Sequence, residues 1–332
     1  TIRRRHALAP SCEAFSKSNS LSSTQIPKEN TMKKALGFAA LLATSVLILA
    51  GCASSSTSTG DAMIDAIKVD SAASALLPDT YKTNGINVGS DIPYAPMEMF
   101  DENNNPIGFD VDLANAIGKK LGVKIIYQKQ AFDTLIASLE ANKHDVAISS
   151  LSDTIERQAK LDFVDYFNGG ASLLVAKGNP SDVTSIDALC GQPVAVQTAT
   201  WEVDLVQAAS DECVANNEAA IEMLSLPGDV DAQNAVRSGK AVAYLGDSQV
   251  VAYAVKVAGD GDYFDLVVDP ASPNGYDSGL IGVGVLKANT GLTAAIQAAV
   301  QSLMDDGTYA KLLKKWNLES FSVDSATING TK

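Results

Sequence analysis

A run of hydroxyl side chains followed by an arginine, near the middle of the chain, has the composition of a carboxylate site. Ser149, Ser150 and Ser152 follow the apolar segment Val146–Ile148, and Arg157 comes soon after them. Backbone N–H groups at a helix start bind anions, and a guanidinium binds a carboxylate through two parallel hydrogen bonds. The same pattern is also typical of an ordinary helix N-cap, so its meaning depends on its surroundings.

The three serines and Arg157 must be positioned by the segments around them, whose residue patterns alternate between strand and helix. Ile86–Gly89, Val123–Tyr127 and the segment before Ser149 are short and apolar, as strands are, and helical spacing separates them. The alternation predicts an α/β fold with a mainly parallel sheet, in which ligands bind beyond the carboxyl ends of the strands. Asp91 and Tyr94, which follow the first strand, are therefore expected at the same edge as the serines.

The alternation starts again after residues 168–170, which contain two glycines and mark a boundary between two units. In the second unit, Thr200 and Trp201 follow one predicted strand, and Asp247 follows another. Polar residues thus lie at strand ends in both units, and we expect them to face a common site.

The N-terminal part has the order of features found in an export signal. A basic segment begins at Met32, an apolar stretch follows, and Leu49-Ala50-Gly51 leads directly to Cys52. This resembles a bacterial lipoprotein signal, residues 32–51, which is cut before a cysteine that carries the lipid. A transmembrane helix is the weaker interpretation, because the apolar stretch falls short of the roughly 20 residues that a span needs.

The residues on either side of this signal are expected to lie outside the folded units. Residues 1–31 have no periodicity and are predicted not to be part of the native protein. Residues 52–83 are predicted to be a lipid-anchored, Ser- and Thr-rich tether that ends in a short helix over Ala66–Leu77.

Charge and cysteine content exclude some classes of partner and cofactor. The net charge of the 332-residue chain is -14, which argues against a nucleic acid partner. In an exported protein the remaining pair, Cys190 and Cys213, is expected to be a disulfide and not a metal site, with two free buried thiols as the alternative. His144 is expected to be a solvated surface residue, and no metal or other cofactor is predicted.

Six segments, in order along the chain, together resemble the polar amino acid solute-binding proteins of ABC importers, bacterial extracellular family 3. The segments are Gly108–Leu113, Phe132–Leu139, Ser149–Arg157, Asp162–Phe167, Gly246–Ser248 and Asp306–Tyr309. The resemblance implies an α/β fold of the type 2 periplasmic binding protein class, with two α/β lobes joined by two crossover strands and a ligand cleft between them. It places lobe 1 at residues 84–170 and 280–332, and lobe 2 at residues 171–279.

The resemblance also implies roles for the residues at the strand ends. Arg157 would bind the α-carboxylate of an amino acid, Ser150 and Ser152 would serve its amino and carboxylate groups, and Asp247 would bind its ammonium. A helix cap is the other role open to Asp247. The ligand-binding residues predicted in this way are Asp91, Tyr94, Phe132, Ser149, Ser150, Ser152, Arg157, Thr200, Trp201 and Asp247.

The end of the pocket that would receive the ligand side chain is less well defined. Asp91 matches a position that binds a cationic side chain in some family members, which favours a basic ligand, but an aspartate before a proline is also a common turn residue. Tyr94 and Phe132 match aromatic residues that stack on the ligand. The chain departs from the family at Ala199-Thr200-Trp201, where glycine and small hydroxyl residues are usual, so Trp201 either reshapes the pocket or packs inside lobe 2.

The predicted function is that of an extracytoplasmic, monomeric binding protein, anchored to the membrane by lipid at Cys52. It would capture a polar, possibly basic, amino acid by closure of the lobes and deliver it to an ABC permease. It is predicted not to be an enzyme. The alternatives are an enzyme similar to the cyclohexadienyl dehydratases, which use the same fold, and a receptor module that senses a ligand without transporting it.

Overall fold

A computed structural model of the protein describes residues 61–272 and 275–332. The predicted signal, the lipid site at Cys52 and most of the tether lie outside the described residues. Within the described ranges, none of the helices combines the length and apolar character needed to cross a bilayer.

Helices and strands alternate along most of the described chain, as the sequence predicts. The helices are α1 (Ala62–Asp65), α2 (Ser71–Leu76), α3 (Asp79–Asn84), α4 (Phe109–Leu121), α5 (Leu135–Glu140), α6 (Ile155–Gln158), α7 (Glu202–Ala215), α8 (Asp229–Arg237), α9 (Ser248–Val257), α10 (Thr290–Asp305) and α11 (Thr308–Trp316). The strands are β1 (Ile86–Ser90), β2 (Met99–Phe100), β3 (Pro106–Ile107), β4 (Ile125–Lys129), β5 (Val146–Ala147), β6 (Leu161–Ala176), β7 (Pro193–Gln197), β8 (Glu222–Leu226), β9 (Ala243–Asp247), β10 (Phe264–Val267) and β11 (Tyr276–Leu286). Short 3-10 helices lie at Phe132–Thr134, Ile186–Leu189, Ala258–Gly261 and Glu319–Phe321.

The central sheet has the strand order β4-β1-β5-β11-β6-β9-β7-β8, with β10 also paired to β6. β1 lies parallel to β4 and β5, and β7 lies parallel to β8 and β9. The middle strands β6 and β11 run antiparallel to their neighbours. The predicted parallel pairing is therefore right within each half of the sheet, and the antiparallel strands join the halves.

Two strands carry the chain from one half of the molecule to the other. β6 pairs with β11 through Leu161–Ala171, and with β9 and β10 through Ala171–Ala176. The glycines predicted to mark a boundary, Gly169 and Gly170, lie at the midpoint of this strand. The type 2 periplasmic binding protein fold is thus present, with β6 and β11 as the two crossover strands.

Buried side chains form separate cores in the two lobes. In lobe 1, α4, α10 and α11 cover one face of the sheet with residues such as Phe109 and Ile296, and α5 covers the other with Leu135. In lobe 2, α7 covers one face with Val206, and α8 and α9 cover the other with Val251 among others. Each lobe is therefore a three-layer unit, with helices on both faces of its part of the sheet. The carboxyl ends of its parallel strands point toward the other lobe.

Two local predictions are wrong. The helix predicted over Ala66–Leu77 forms only in its second part, as α2, which begins at Ser71, where Asp70 accepts hydrogen bonds from the N–H groups of Ala72 and Ala73. His144 is buried, with 5% of its surface exposed, because its ring lies against the backbone of Gly89. The polar turn that contains His144 carries no sequence signal of that tertiary contact.

The predicted bond between Cys190 and Cys213 is present and ties the loop before β7 to the far end of α7. Reducing it is expected to lower the free energy of unfolding by about 3 kcal/mol, because the bridge closes a loop with a sequence separation of 23 and restricts the unfolded chain. Urea titrations of oxidised and reduced protein measure the difference. Equal unfolding midpoints would contradict the expectation.

Candidate functional site

A small cavity lies between the two lobes, at the carboxyl ends of β1, β5, β7 and β9. Its lining residues are Asp91, Tyr94, Phe132, Ser149, Ser150, Ser152, Gln197, Thr200, Trp201, Glu202 and Asp247. Every residue predicted to bind a ligand is in this set except Arg157.

The segment after β5 turns sharply and presents its hydroxyls to the cavity. Ser150 has a φ of 47°, in the left-handed region that non-glycine residues rarely adopt. Its N–H donates a hydrogen bond of 2.8 Å to Asp110 Oδ2, and Tyr166 donates one of 2.7 Å to the other oxygen of the same carboxylate. The buried aspartate thus fixes the backbone conformation that directs Ser150 Oγ across the cleft.

A second buried carboxylate, on the loop before α4, supports the neighbouring serine. Ser149 Oγ donates a 2.6 Å hydrogen bond to Glu98 Oε1 and accepts one of 2.9 Å from the N–H of Asp91. Burial raises the pKa of Asp110 to about 6, and burial together with the charge of Asp110 raises the pKa of Glu98 well above its usual range. Sequence reasoning missed both acids, since neither follows a strand.

Arg157 lies at the rim of the cavity, next to residues that line it. Its N–H donates to Thr154 Oγ1, which caps α6, so the N-cap pattern in the sequence is real and coexists with the proximity to the cavity. Nη1 donates a 3.0 Å bond to the Ser152 carbonyl oxygen, and the guanidinium lies 5.6 Å from the ring centroid of Phe132. These contacts hold the cation in one place without neutralising it.

The Arg157 guanidinium also reaches lobe 2. Nη2 donates a 3.1 Å hydrogen bond to the carbonyl oxygen of Ala199. Ala199 has a φ of 64°, a left-handed conformation that favours glycine, at the position where the resembled family usually has glycine. The turn is therefore retained although the residue type has changed.

Asp247 lies at the end of β9, across the cavity from the segment Ser149–Arg157. It is 3% exposed, and its Oδ2 accepts hydrogen bonds from Ser150 Oγ (2.8 Å) and Gln249 Nε2 (3.2 Å). Burial raises the pKa of Asp247 above its usual value, and the hydrogen bonds from Ser150 and Tyr94 oppose that rise. Although Asp247 is the N-cap residue of α9, its side chain makes no capping bond, so the alternative role as a helix cap is wrong.

Asp91 lines the cavity from the loop after β1, together with Tyr94. Gln197 Nε2 donates a 2.7 Å hydrogen bond across the cleft to Asp91 Oδ2. Burial raises the pKa of the Asp91 carboxyl, and the bond from Gln197 lowers it in turn. Gln197 was missed in the sequence, although it is the last residue of β7 and the strand-end rule that selected Thr200 applies to it as well.

Glu202 is a further acid in the cavity that sequence reasoning missed. It is the first residue of α7, it is only 2% exposed, and it lines the cavity together with Asp247. Burial, and then the charge of Asp247, raise the pKa of Glu202 well above its usual range. An acid in the first turn of a helix usually stabilises the helix dipole. The sequence therefore offered no reason to place Glu202 in the cavity.

Trp201 combines the two roles that the sequence left open. It lines the cavity, and it also packs against the lobe 2 core, the cluster that contains Val206 and Leu173. The cavity therefore has one arginine at its rim against the three carboxylates Asp91, Glu202 and Asp247, a charge pattern suited to a ligand with one anionic group and more than one cationic group.

Comparison with known proteins gives consistent matches. The profile of the bacterial extracellular solute-binding proteins, family 3, matches residues 86–319. An arginine-binding protein of Corynebacterium glutamicum is 30% identical over 77% of this chain and 82% of its own length. A lysine/arginine/ornithine-binding periplasmic protein of Escherichia coli K12 is 31% identical over 73% of this chain and 89% of its own length.

Solved structures agree with the sequence relatives. An ancestral arginine-binding protein bound to arginine superimposes with a TM-score of 0.63 and is 31% identical. The match covers 70% of this chain and 97% of that one. The likeness therefore extends over both lobes and the cavity between them.

Proposed function

The chain belongs to the bacterial extracellular solute-binding proteins, family 3, and from this membership and the geometry of the cleft we propose that it captures a basic amino acid for an ABC importer. The observation that carries the proposal is the charge content of the cavity: the Arg157 guanidinium lies beside it, in contact with Ser152 and Phe132, and the carboxyl groups of Asp91 and Asp247 line it. A zwitterion needs one fixed cation and one fixed anion, and a cationic side chain needs a second anion. The named ligands of the two sequence relatives support the same class.

Capture is proposed to proceed by closure of the two lobes on the ligand. Hydrogen bonds cross the cleft from Ser150 to Asp247, from Gln197 to Asp91 and from Arg157 to the opposite backbone. A ligand that contacts both sides stabilises the closed arrangement by its higher affinity for it. The division into lobe 1 (84–170 and 280–332) and lobe 2 (171–279) is supported by the separate cores of the two units.

The proposed delivery of the ligand to a permease rests on the family, and the proposed lipid anchor rests on the sequence. The protein is proposed to work outside the cytoplasm, as a monomer that hands its ligand to an ABC permease. Anchoring through lipid at Cys52, after removal of residues 32–51, is proposed on the strength of the signal-like sequence alone. Palmitate labelling of the expressed protein, lost in Cys52→Ser, is the direct check.

A binding role is favoured over the cyclohexadienyl dehydratase alternative. The relatives are named as binding proteins. Prephenate carries two carboxylates, and a cavity lined by Asp91, Glu202 and Asp247 repels a dianion. No phenylpyruvate is expected when prephenate is added to the protein.

A panel of the twenty common L-amino acids tests the proposed ligand class. Thermal shift selects binders, because a ligand at a hundred times its Kd adds about 2.7 kcal/mol of stability, and calorimetry then ranks them. Arginine or lysine is expected to bind at micromolar Kd or below, equivalent to about 8 kcal/mol. Citrulline, which has the shape of arginine but no side-chain charge, is expected to bind at least about tenfold more weakly.

Asp91→Asn is expected to reduce the preference for arginine over citrulline, because it removes a carboxylate from the cavity lining. Asp133 is an exposed acid next to Phe132 in the chain, and Asp133→Asn is expected to leave the preference unchanged. Equal affinities for arginine and citrulline in the wild type would contradict the assignment of a basic ligand. Binding of none of the twenty amino acids would contradict the proposed function itself.

A further inference from the structure

Gln249, near the start of α9, joins the two lobes although it is not among the residues that line the cavity. It is 2% exposed. Its Nε2 donates hydrogen bonds to Ser150 Oγ (3.1 Å) and to Asp247 Oδ2 (3.2 Å). Because Ser150 belongs to lobe 1 and Asp247 to lobe 2, one amide group bridges the cleft beside the carboxylate proposed to bind the ligand ammonium.

The side chains of Gln249, Ser150 and Asp247 form a closed ring of hydrogen bonds. Ser150 Oγ donates to Asp247 Oδ2 at 2.8 Å and accepts from Gln249. Both protons of the amide nitrogen are therefore used, and both donors to Asp247 reach the same oxygen. Such bonds favour the ionised carboxylate, and they fix its orientation because rotation of the carboxyl group would lose both of them.

The amide oxygen of Gln249 faces the strand that crosses between the lobes. An ionised carboxylate only accepts hydrogen bonds, so the amide presents Nε2 to Asp247 and turns Oε1 away from it. Within the part of the chain that the structure describes, Oε1 is buried and has no hydrogen-bond partner. It lies beside Gly169 of β6, where an added Cβ would be 3.1 Å from it. Glycine at this point of the crossover strand therefore gives the amide the room that it occupies.

The neighbouring residues of α9 also contact lobe 1, although the helix belongs to lobe 2. Val250 is buried in the lobe 1 core, and the Tyr253 hydroxyl lies 3.8 Å from Met99 Sδ. These contacts hold the first turns of α9 against lobe 1, so the two N–H groups of Gln249 have one direction.

We propose that Gln249 is a positioning residue that holds the Asp247 carboxylate in the orientation that receives the ammonium of an amino acid when the lobes close. The inference rests on the proposed function and deepens it, since selection for the α-amino group of the ligand then depends on Gln249 as well as on Asp247. A buried acceptor without a partner lowers stability, so the Oε1 atom adds nothing to the fold. The two donors on Nε2 are the part of the side chain that the site uses.

The test uses pairs of ligands that differ only in the α-amino group. The pairs are L-arginine with δ-guanidinovaleric acid and L-lysine with ε-aminocaproic acid, and calorimetry at neutral pH is done with the pair whose amino acid binds more tightly. The wild type is expected to bind the amino acid about 30-fold or more tightly than its partner, because only the amino acid gives Asp247 a buried counter-charge.

Gln249→Met keeps the length of the side chain and removes both donors. The affinity ratio within the pair is expected to fall about fivefold or more, because Asp247 loses a hydrogen bond that orients its charge. The ratio of L-arginine to L-citrulline is expected to stay as in the wild type, since Asp91 is untouched. Gln233→Met is the matched control: Gln233 Nε2 donates a 2.7 Å bond to the buried Asp229 in the same lobe, and neither residue lines the cavity.

Gly169→Ala disturbs the same amide without altering it. The new Cβ would lie 3.1 Å from Gln249 Oε1, so the amide must shift and the ratio is expected to fall in the same direction by a smaller factor. Gly279 pairs with Gly169 from the other crossover strand, and a Cβ there would meet no atom within 4 Å, so Gly279→Ala is the control. If Gln249→Met fails to fold, equal ratios in the two alanine variants would overturn the proposal.

The two ligands of a pair separate positioning from a purely structural role. If Gln249→Met weakens both ligands by the same factor, or if the ratio rises, Gln249 does not position Asp247 for an ammonium and the proposal is overturned. A wild type that binds both ligands of the pair equally would overturn the role of Asp247 and this inference with it. Wild-type protein that binds no amino acid would overturn the proposed function itself.

Discussion

Arg157→Met is expected to weaken the binding of L-arginine by about 150-fold or more, equivalent to about 3 kcal/mol or more. The guanidinium is the cation that the cavity offers to a carboxylate, and two of its N–H groups are already fixed by the carbonyl oxygens of Ser152 and Ala199. Removing it leaves the ligand carboxylate without a counter-charge in a site largely closed to water. Methionine keeps an unbranched chain that packs on Phe132, so the fold should persist.

A matched control exists elsewhere in the chain. Arg237 lies 5.5 Å from the ring centroid of Tyr263, almost the same arrangement as Arg157 over Phe132, but Phe132 lines the cavity and Tyr263 does not. Arg237→Met removes the same charge and the same cation–π contact, and it should bind L-arginine with wild-type affinity. Calorimetry of the two variants beside the wild type makes the comparison, and undiminished binding by Arg157→Met would refute the assigned role of this arginine.

Asp247→Asn is expected to have the second largest effect, a loss of about 30- to 700-fold in affinity for L-arginine, equivalent to about 2 to 4 kcal/mol. Asp247 Oδ2 accepts hydrogen bonds from Ser150 Oγ and Gln249 Nε2, and such bonds favour the ionised carboxylate. Asparagine has nearly the same shape but no charge, so the ligand ammonium would be buried without an anion.

The control for this substitution is another fully buried aspartate that is remote from the cavity. Asp165 accepts hydrogen bonds from Thr327 Oγ1 (2.6 Å) and from the N–H of Gly330 (3.0 Å), a setting similar to that of Asp247. Asp165→Asn should change the thermal unfolding of the ligand-free protein and leave the Kd for L-arginine as it is. If both asparagine variants bind equally well, the ammonium has a different partner.

Sequence reasoning identified the strand-end residues because a local pattern carries the information. In an α/β unit, the residues that follow a strand lie at the carboxyl edge of the sheet whatever the rest of the fold does. That rule, together with the resemblance, selected Asp91, Ser150, Thr200 and Asp247, and the structure brings all of them to one cavity. The disulfide followed in the same way, from cysteine number and an export signal.

The residues that sequence reasoning missed act through contacts that no local pattern records. Glu98 and Asp110 lie far from Ser149 and Ser150 in the chain. Glu98 accepts a hydrogen bond from the Ser149 hydroxyl, and Asp110 accepts one from the Ser150 N–H. Glu202 looks like an ordinary acid at the start of a helix until the fold places it in the cavity lining together with Asp247. Each of these contacts joins segments that only the folded backbone brings together.

The sequence by itself thus determined the fold class, the edge of the sheet at which a ligand would bind, and the arginine and aspartate that oppose each other there. The tertiary structure decided which acids are buried and which donors reach them, because both depend on segments that are distant in the chain. It also decided that the Asp247 side chain caps no helix and that Trp201 both lines the cavity and packs in lobe 2. Periodicity and spacing indicate which side of a helix or strand a residue occupies. The charge balance of a closed cavity depends on all the residues that line it, and these come from distant segments.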